Sequence, residues 1–426
     1  MEPTTKSSRG FSITDLFQRW DNKDYSPQIN QALESVKDFF VSKSDANTLY
    51  AQYTTTKKIA EGNSKEVYLV RPKSFNANKN IFPNSKEKTH ILALSKLKIE
   101  GKNEQEVIAT IKSLKNQKIL QKNGNLFPVY GLFPKNGDIF LVSPFANGGD
   151  LKAYSKQFKN KFKEEFKEHQ PQMIYRMVEI GSHLEKEGFS HRDLDLSNFF
   201  VTITNPEKIE ASNKEEETEK PKRHYNIQVS DLERGVWIKQ PKDQNFEGYK
   251  NFPLNFKITP ASSLIHPDKN LEKGNSYAIG VNILKILGYY VPEERNNLAQ
   301  INTFYDFKLN PTRYVQFESM ETHQAILTIG LIHPNPEARW TLVEAEQFLK
   351  SLNEFDPKAD QTEVPLVKFL HEKFGVEEEN VMDSLLKVKD ILKTSIEKFS
   401  FDKESLEKYE QFKQRDLQKI QKASIY

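Results

Sequence analysis

Two acids and an amide in this chain, Asp193, Asp231 and Asn198, are of the types that handle a proton and a divalent cation. Asp193, Asp195 and Asn198 lie in the run His191-Arg192-Asp193-Leu194-Asp195-Leu196-Ser197-Asn198, and Asp231 follows in Val229-Ser230-Asp231-Leu232-Glu233. A carboxylate can accept a hydroxyl proton, and carboxylate and amide oxygens are hard donors that suit magnesium. The sequence has no cysteine, which removes a thiolate nucleophile, a thiolate zinc site and a disulfide scaffold from consideration.

These groups are to be positioned by 426 residues, enough for one two-lobed domain with extensions or for two ordinary domains. Hydrophobic residues make up 37% and charged residues 28%, the balance of a soluble globular chain. The net charge of +3, from 62 basic against 59 acidic residues, gives no electrostatic footprint for nucleic acid. No apolar run approaches the ~18 residues that span a bilayer, and the N-terminus has no basic-then-apolar signal pattern. Met1-Glu2 lacks the glycine that myristoylation requires. The expectation is an intracellular protein, cytoplasmic by default and compatible with a cytoskeletal or complex-bound location, with no nucleic-acid or membrane partner.

Residues 1–52 read as an N-terminal helical extension. Ser26-Pro27 is a helix start, and Ile29, Leu33, Val36 and Phe40 then recur at helical spacing. From residue 53 short strands come first: Val67-Tyr68-Leu69-Val70, His90-Ile91-Leu92-Ala93-Leu94, residues 127–133, and Ile139-Phe140-Leu141-Val142. Helices dominate afterwards. A strand-rich part before a helix-rich part predicts an α+β chain of two lobes, 53–143 and 148–353, with a cleft between them. Residues 205–224 are charged and nearly free of apolar side chains, and read as a disordered surface insertion. Residues 354–426 read as a C-terminal extension with two apolar stripes, Val381, Leu385, Val388 and Leu392, then Leu406, Tyr409, Leu417 and Ile420. Each stripe is expected to pack on its own domain or to meet a protein partner; the oligomeric state is left open.

The landmarks are collinear. A helix ending at a Gly188 turn precedes the run 191–198, and the strand Phe199-Phe200-Val201 follows it. Asp231-Leu232-Glu233 resembles D-F-G, His266-Pro267-Asp268 resembles A-P-E, and Asn275 to Gly280 resembles D-x-W-S-x-G. Ser143-Pro144-Phe145-Ala146-Asn147-Gly148-Gly149-Asp150-Leu151 resembles the hinge after the fifth strand, and Arg339 matches the arginine that pairs with the A-P-E acid, here Asp268. Over roughly 300 residues the chain resembles the eukaryotic-type protein-kinase superfamily, in a degenerate, pseudokinase-like form. The resemblance implies a bilobal kinase fold with a small β-rich N-lobe and a larger helical C-lobe. It further implies Asp193 as catalytic base, Asn198 and Asp231 as magnesium ligands, and an ATP pocket lined by Gly62, Val67, Ala93, Pro144, Ala146 and Phe200. His191, Trp237, Trp340 and Tyr277 are expected to be core or packing residues, and Arg192 a structural arginine.

The sequence departs from that pattern in linked places. Of the three glycines in G-x-G-x-x-G only Gly62 survives, with Ala60 and Lys65 at the outer two; Lys65 could reach a phosphate as a substitute cation. Laid on V-A-I-K, the third strand puts Ala93 at the adenine roof and Ser95 at the lysine. Strand alternation sets those two on one face and Lys96 on the other; a shift by one would recover Lys96 but set Leu94 against adenine. Asn116 stands where the partner glutamate belongs, since Glu104 and Glu106 come too early. Losing both halves of an ion pair together is electrostatically consistent. Glu233 replaces the D-F-G glycine, and Phe200 is a large residue for the adenine floor. Asp195 replaces a lysine, and is expected to repel the γ-phosphate. Two readings follow. The preferred one is a pseudokinase, a scaffold or allosteric partner with weak or no ATP binding, engaging proteins through its terminal helices. The alternative is a divergent Ser/Thr kinase with Asp193 as base and Lys65, Lys96 or Lys98 as replacement cation.

Overall fold

The computed structural model describes residues 25–42, 46–47, 49, 53–61, 65–73, 91–99, 104–121, 124–135, 137–161, 163–204, 224–238, 255–265, 271, 273–293, 296–354, 365–376 and 380–423. Gly62, His266-Pro267-Asp268, residues 205–223 of the charged insertion and residues 1–24 lie outside them. The chain divides into two compact units. One is Met1–Gly148 with Thr202–Glu233, the other Gly149–Val201 with Arg234–Tyr426.

The first unit is built on an antiparallel sheet of β1 (Tyr53–Glu61), β2 (Lys65–Pro72), β3 (Leu92–Leu97), β4 (Gly131–Lys135) and β5 (Asp138–Pro144), in the order β1-β2-β3-β5-β4. Alternation along β3 decides what each face does. Leu92 and Leu94 join Val70, Phe133 and Val142 on one face, covered by Val41, Ala46, Leu49 and Tyr53. Leu97 joins Ile139, Leu141 and Leu132 on the other, against helix α2 (Glu104–Leu120) through Val107, Ile111 and Leu114. Each such aliphatic side chain, taken fully out of water, contributes about 1.5–3 kcal/mol.

Helix α1 (Pro27–Glu34) belongs to this same core. Ile29, Ala32, Leu33 and Val36 pack into the α2 side of the sheet. Ser26 caps α1 by accepting from the Ile29 N–H at 3.3 Å, and its hydroxyl also donates to Glu104 at the start of α2. The chain then lies along the open edge of β4: Val41 N–H donates to the Leu132 carbonyl at 2.9 Å, and Phe40 bridges Leu132 in parallel. An exposed edge is a pairing hazard, and this segment covers it. Gly131 makes the approach feasible, because a Cβ there would fall 2.5 Å from a Val41 methyl and 3.0 Å from the Phe39 carbonyl.

The second unit is mostly helical: α3 (Leu151–Lys161), α4 (Lys163–Lys186), α5 (Ala261–Ile265), α6 (Gly274–Leu287), α7 (Leu298–Leu309), α8 (Thr322–Ile332), α9 (Leu342–Asn353), α10 (Pro365–Phe374), α11 (Val381–Lys398) and α12 (Lys403–Ala423). Helix α6 is apolar nearly all round and is buried at almost every position, between α4 and α8. At Gly280 a Cβ would meet an Ile332 methyl at 2.5 Å, so α6 and α8 need that glycine to close. Arg339 and Trp340 are fully buried, Trp340 against Phe348 and Phe369.

Several expectations need adjusting. The first helix ends at Glu34, and a 3-10 turn, Lys37–Phe39, carries the chain on, so Val36 and Phe40 lie beyond it. The strand expected over 127–133 begins only at Gly131. Among the described residues of 354–426 there are three helices and not two, with α10 additional to the two apolar stripes. The stripe Val381, Leu385, Val388 and Leu392 is buried, as is Tyr409, but Leu406 is exposed. Asp268, the acid expected to pair with Arg339, lies outside the described residues. Among those described, Arg339 donates to the carbonyls of His333, Pro334 and Lys273 and to Ser262 Oγ. No helix among the described residues is long and apolar enough to cross a membrane.

Candidate active site

In the first unit the sheet register places the groups. Val67 opposes Ser95, Leu69 opposes Ala93 and Lys65 opposes Leu97, so Lys65, Val67, Ser95 and Ala93 share a face. Lys96 opposes Glu66 and Phe140 on the other face, and its ammonium is 2.9 Å from Asp138. Lys98 is held by Glu61 at 2.5 Å. Two of the three candidate replacement cations are thereby committed elsewhere.

Lys65 is the third, and it sits on the acid that matters. Its ammonium lies 2.5 Å from Asp231 Oδ1 and 3.9 Å from Glu233 Oε1. Burial alone would push the ammonium pKa down, but the charges of Asp231 and Glu233 more than offset it and raise it. Asp231 has φ +58°, a left-handed backbone that a non-glycine residue adopts only when its surroundings impose it. The strand before it, His224–Val229, is tied to the loop ahead of β4: Phe127 N–H donates to Val229 at 2.8 Å, Val229 N–H to Asn125 at 3.0 Å, and Gln228 to Gly124 and Leu126. Gln117 of α2 donates to the Phe127 carbonyl at 2.7 Å, so α2 helps hold the loop that holds the strand.

The remaining positions of this unit fall as follows. Asn116 is buried on α2, and Glu104, a rival for the glutamate role, is engaged by Ser26. Pro144 opposes Leu92 at the end of β5 and Ala146 is buried. Asn147 clamps Ile203 in both directions, donating at 2.9 Å and accepting at 2.6 Å. Gly62 is not among the described residues.

In the second unit the run 191–198 is pinned from α6. Asn275 accepts from the His191 N–H at 3.0 Å and donates to the Phe189 carbonyl at 3.1 Å; Asn282 donates to the Leu194 carbonyl at 2.7 Å. His191 is fully buried, with Nδ1 accepting from the Asp193 N–H at 3.3 Å. Arg192 has φ +64°, which turns the chain sharply just before Asp193. Asn198 donates its amide N–H to the Asp193 carbonyl at 2.7 Å. That bond fixes the amide orientation and leaves Oδ1 as the acceptor end, an oxygen donor of the kind magnesium takes. Asp231 supplies a carboxylate of the same hard type, so both predicted metal positions carry suitable oxygens. Phe200 is partly exposed on the strand Phe199–Thr204, opposite Asp150.

Asp193 takes two contacts that sequence reasoning missed. Asn255 Nδ2 donates to its Oδ1 at 2.7 Å, and Arg234 Nε lies 3.6 Å from its Oδ2. No motif covers Asn255. Arg234, next to Glu233 in the 3-10 turn Leu232–Arg234, offered only its proximity to a recognised turn.

Asp195 corrects an expectation. It does not present a bare carboxylate: Oδ1 accepts from the Ser197 N–H at 3.1 Å and hydroxyl at 3.0 Å, capping the turn Leu196–Asn198. Oδ2 lies 3.3 Å from Lys285 of α6. Burial would raise its pKa, but Lys285 and the two Ser197 donors outweigh burial and hold the carboxyl below its ordinary range. Its charge is balanced in part by Lys285, which lies on α6 and is shared with Glu293.

Residues 53–231 match the family model described as protein tyrosine and serine/threonine kinase. Over those residues, less than half of the chain, the sequence is similar to the protein-kinase superfamily. A serine/threonine-protein kinase PLK4 from Danio rerio is 22% identical over 125 residues. That stretch covers 29% of this chain and 11% of the relative, so the likeness speaks for the domain and not for that protein's wider activity.

Proposed function

We propose that this kinase-like chain transfers the γ-phosphoryl group of ATP to a hydroxyl acceptor, with Lys65 as the phosphate-side cation that Ser95 cannot be. One observation carries the reading: the Lys65 ammonium rests on Asp231 from the sheet face that Ser95 and Ala93 share. A kinase lysine is useful only as a positive charge held near the metal-ligating acid and the phosphates. Moving it one strand over, from β3 to β2, keeps that charge on the same face. A relocated lysine also removes the need for the partner glutamate, because Asp231 and Glu233 now perform the orienting task that Asn116 cannot. Asp193, oriented by Asn255, accepts the hydroxyl proton. Asn198 and Asp231 would hold magnesium, which when bound neutralises charge on the phosphate oxygens.

A direct check is transfer of radiolabelled phosphate from magnesium–ATP to casein or to the chain itself. Wild type is expected to transfer, and Asp193→Ala and Asp231→Ala each to lose at least ~100-fold. No transfer by wild type at millimolar ATP sinks the proposal.

A second reading, the pseudokinase, is favoured by Glu233. It brings a second carboxylate within 3.9 Å of Lys65, which favours a closed charge cluster in which Asp231 is already satisfied. That reading expects no thermal shift with magnesium–ATP, and a shift once Lys65 is removed.

A further inference from the structure

The loop 191–198 has lost the cation expected beside its base. Asp195 stands in its place and is closed off by Ser197 and Lys285. Lys285 is in turn shared with Glu293, so it has two carboxylates to balance. Two acids in one short loop, one of them a base that must sit beside a dianionic phosphoryl group, form an electrostatically poor site unless a cation arrives from elsewhere.

One does. Arg234 Nε lies 3.6 Å from Asp193 Oδ2, on the oxygen opposite the one that Asn255 engages. Among the described residues it is the cation paired with Asp193. The arginine side chain is about one-third exposed and that of Asp193 about one-sixth, so the pair is reachable by a substrate and is not a sealed core contact. Arginine carries five donors in a planar fork, which matches phosphate oxygens better than a point charge does.

We propose that Arg234 is the cation of the catalytic loop, delivered from the turn after Asp231, and that it contacts the transferring phosphoryl group beside Asp193. This rests on the transfer reading above. In that step the acceptor oxygen bonds to the γ-phosphorus and its proton goes to Asp193. The bond from the γ-phosphorus to the bridging oxygen breaks, and its electron pair leaves with ADP. Arg234 keeps its proton throughout and balances charge on the equatorial oxygens. Together with Lys65, it means that both cations missing from their usual positions have returned from neighbouring ones.

The test uses the full chain. Arg234→Gln is expected to lower kcat ~10–100-fold while KM for ATP moves less than ~3-fold, the signature of a contact made in the transition state. Arg234→Lys, which restores the charge without the fork, should recover at least ~3-fold of that loss, and millimolar guanidinium should partly restore Arg234→Gln. Both variants should melt within ~2 °C of wild type, as substitutions at partly exposed positions do. Wild-type kcat in Arg234→Gln, a loss confined to KM, or Arg234→Lys as slow as Arg234→Gln would overturn the assignment while leaving transfer intact. A wild-type chain that binds ATP and transfers nothing would instead overturn the transfer reading, and this assignment with it.

Discussion

Asp195 and Lys285 show how a residue's meaning depends on what it touches. Read as a replacement for a phosphate-binding lysine, Asp195 argued against transfer; bonded to Ser197 and Lys285 it is a turn cap. Lys285→Met should therefore cost more stability than Asp195→Asn, because it leaves two carboxylates without their cation, and Asp195→Asn keeps an acceptor for Ser197. We expect ~2–4 kcal/mol against ~1 kcal/mol in denaturant melts. Equal costs would show that the ion pair is not what holds the loop. Asp193, Asn198 and Asp231 were legible in the sequence because their spacing is local to short turns. Arg234 and Asn255 were not, since their contact with Asp193 is made by tertiary placement. Lys65 lay between these cases: it was visible as a misplaced side chain in a glycine position. Its direction, however, depended on the β2–β3 register.

At the scale of elements, alternation in β3 was enough to separate Ser95 from Lys96, because a strand buried on both faces cannot slip by one residue without exchanging its faces. Helix α10 was not legible because it is short and follows a polar stretch; it buries Leu366, Phe369 and Leu370 against its neighbours α9 and α11. Packing at two places gives predictions at this scale. Gly131→Val would push Val41 off the β4 edge, and should destabilise the first unit by ~1–3 kcal/mol, read as early proteolysis near residue 41. Unchanged protease resistance would contradict that close approach. At the junction of α4 and α9, Glu346 accepts from Ser182, Lys186 and Lys350. Burial would raise its pKa, yet these partners lower it from the ordinary 4.5 to about 2. Because the folded value is depressed, its stabilisation is fully present above pH ~4.5 and is lost as pH falls toward 2. Both lysines are about half exposed, so only ~1–2 kcal/mol is expected. Glu346→Gln should lower the melting temperature at pH 7 and leave it unchanged at pH 2. A uniform drop at both would rule the linkage out.

For the whole molecule, the terminal segments are structural parts of the units they flank. Helix α1 fills the core beside α2, and α12 packs on α5 and α7 through Tyr409, whose hydroxyl donates to the Tyr305 carbonyl at 3.0 Å. The stripe Val381, Leu385, Val388 and Leu392 is covered by its own chain, while Leu406 of the second stripe stays exposed, a difference that sequence periodicity does not reveal. The fold was therefore more legible than the division of labour within it. The chain keeps acids at the positions that the kinase resemblance assigns to phosphoryl transfer, and Lys65 and Arg234 are proposed to supply the cations. The measurement that tests this most directly is ATP phosphate transfer by wild type, by Lys65→Met and by Lys65→Met combined with Ser95→Lys. Lys65→Met should lose ~10²–10³-fold, and the added lysine, on the same sheet face, should return at least ~10-fold of it. Transfer by Lys65→Met at the wild-type rate would contradict a relocated cation.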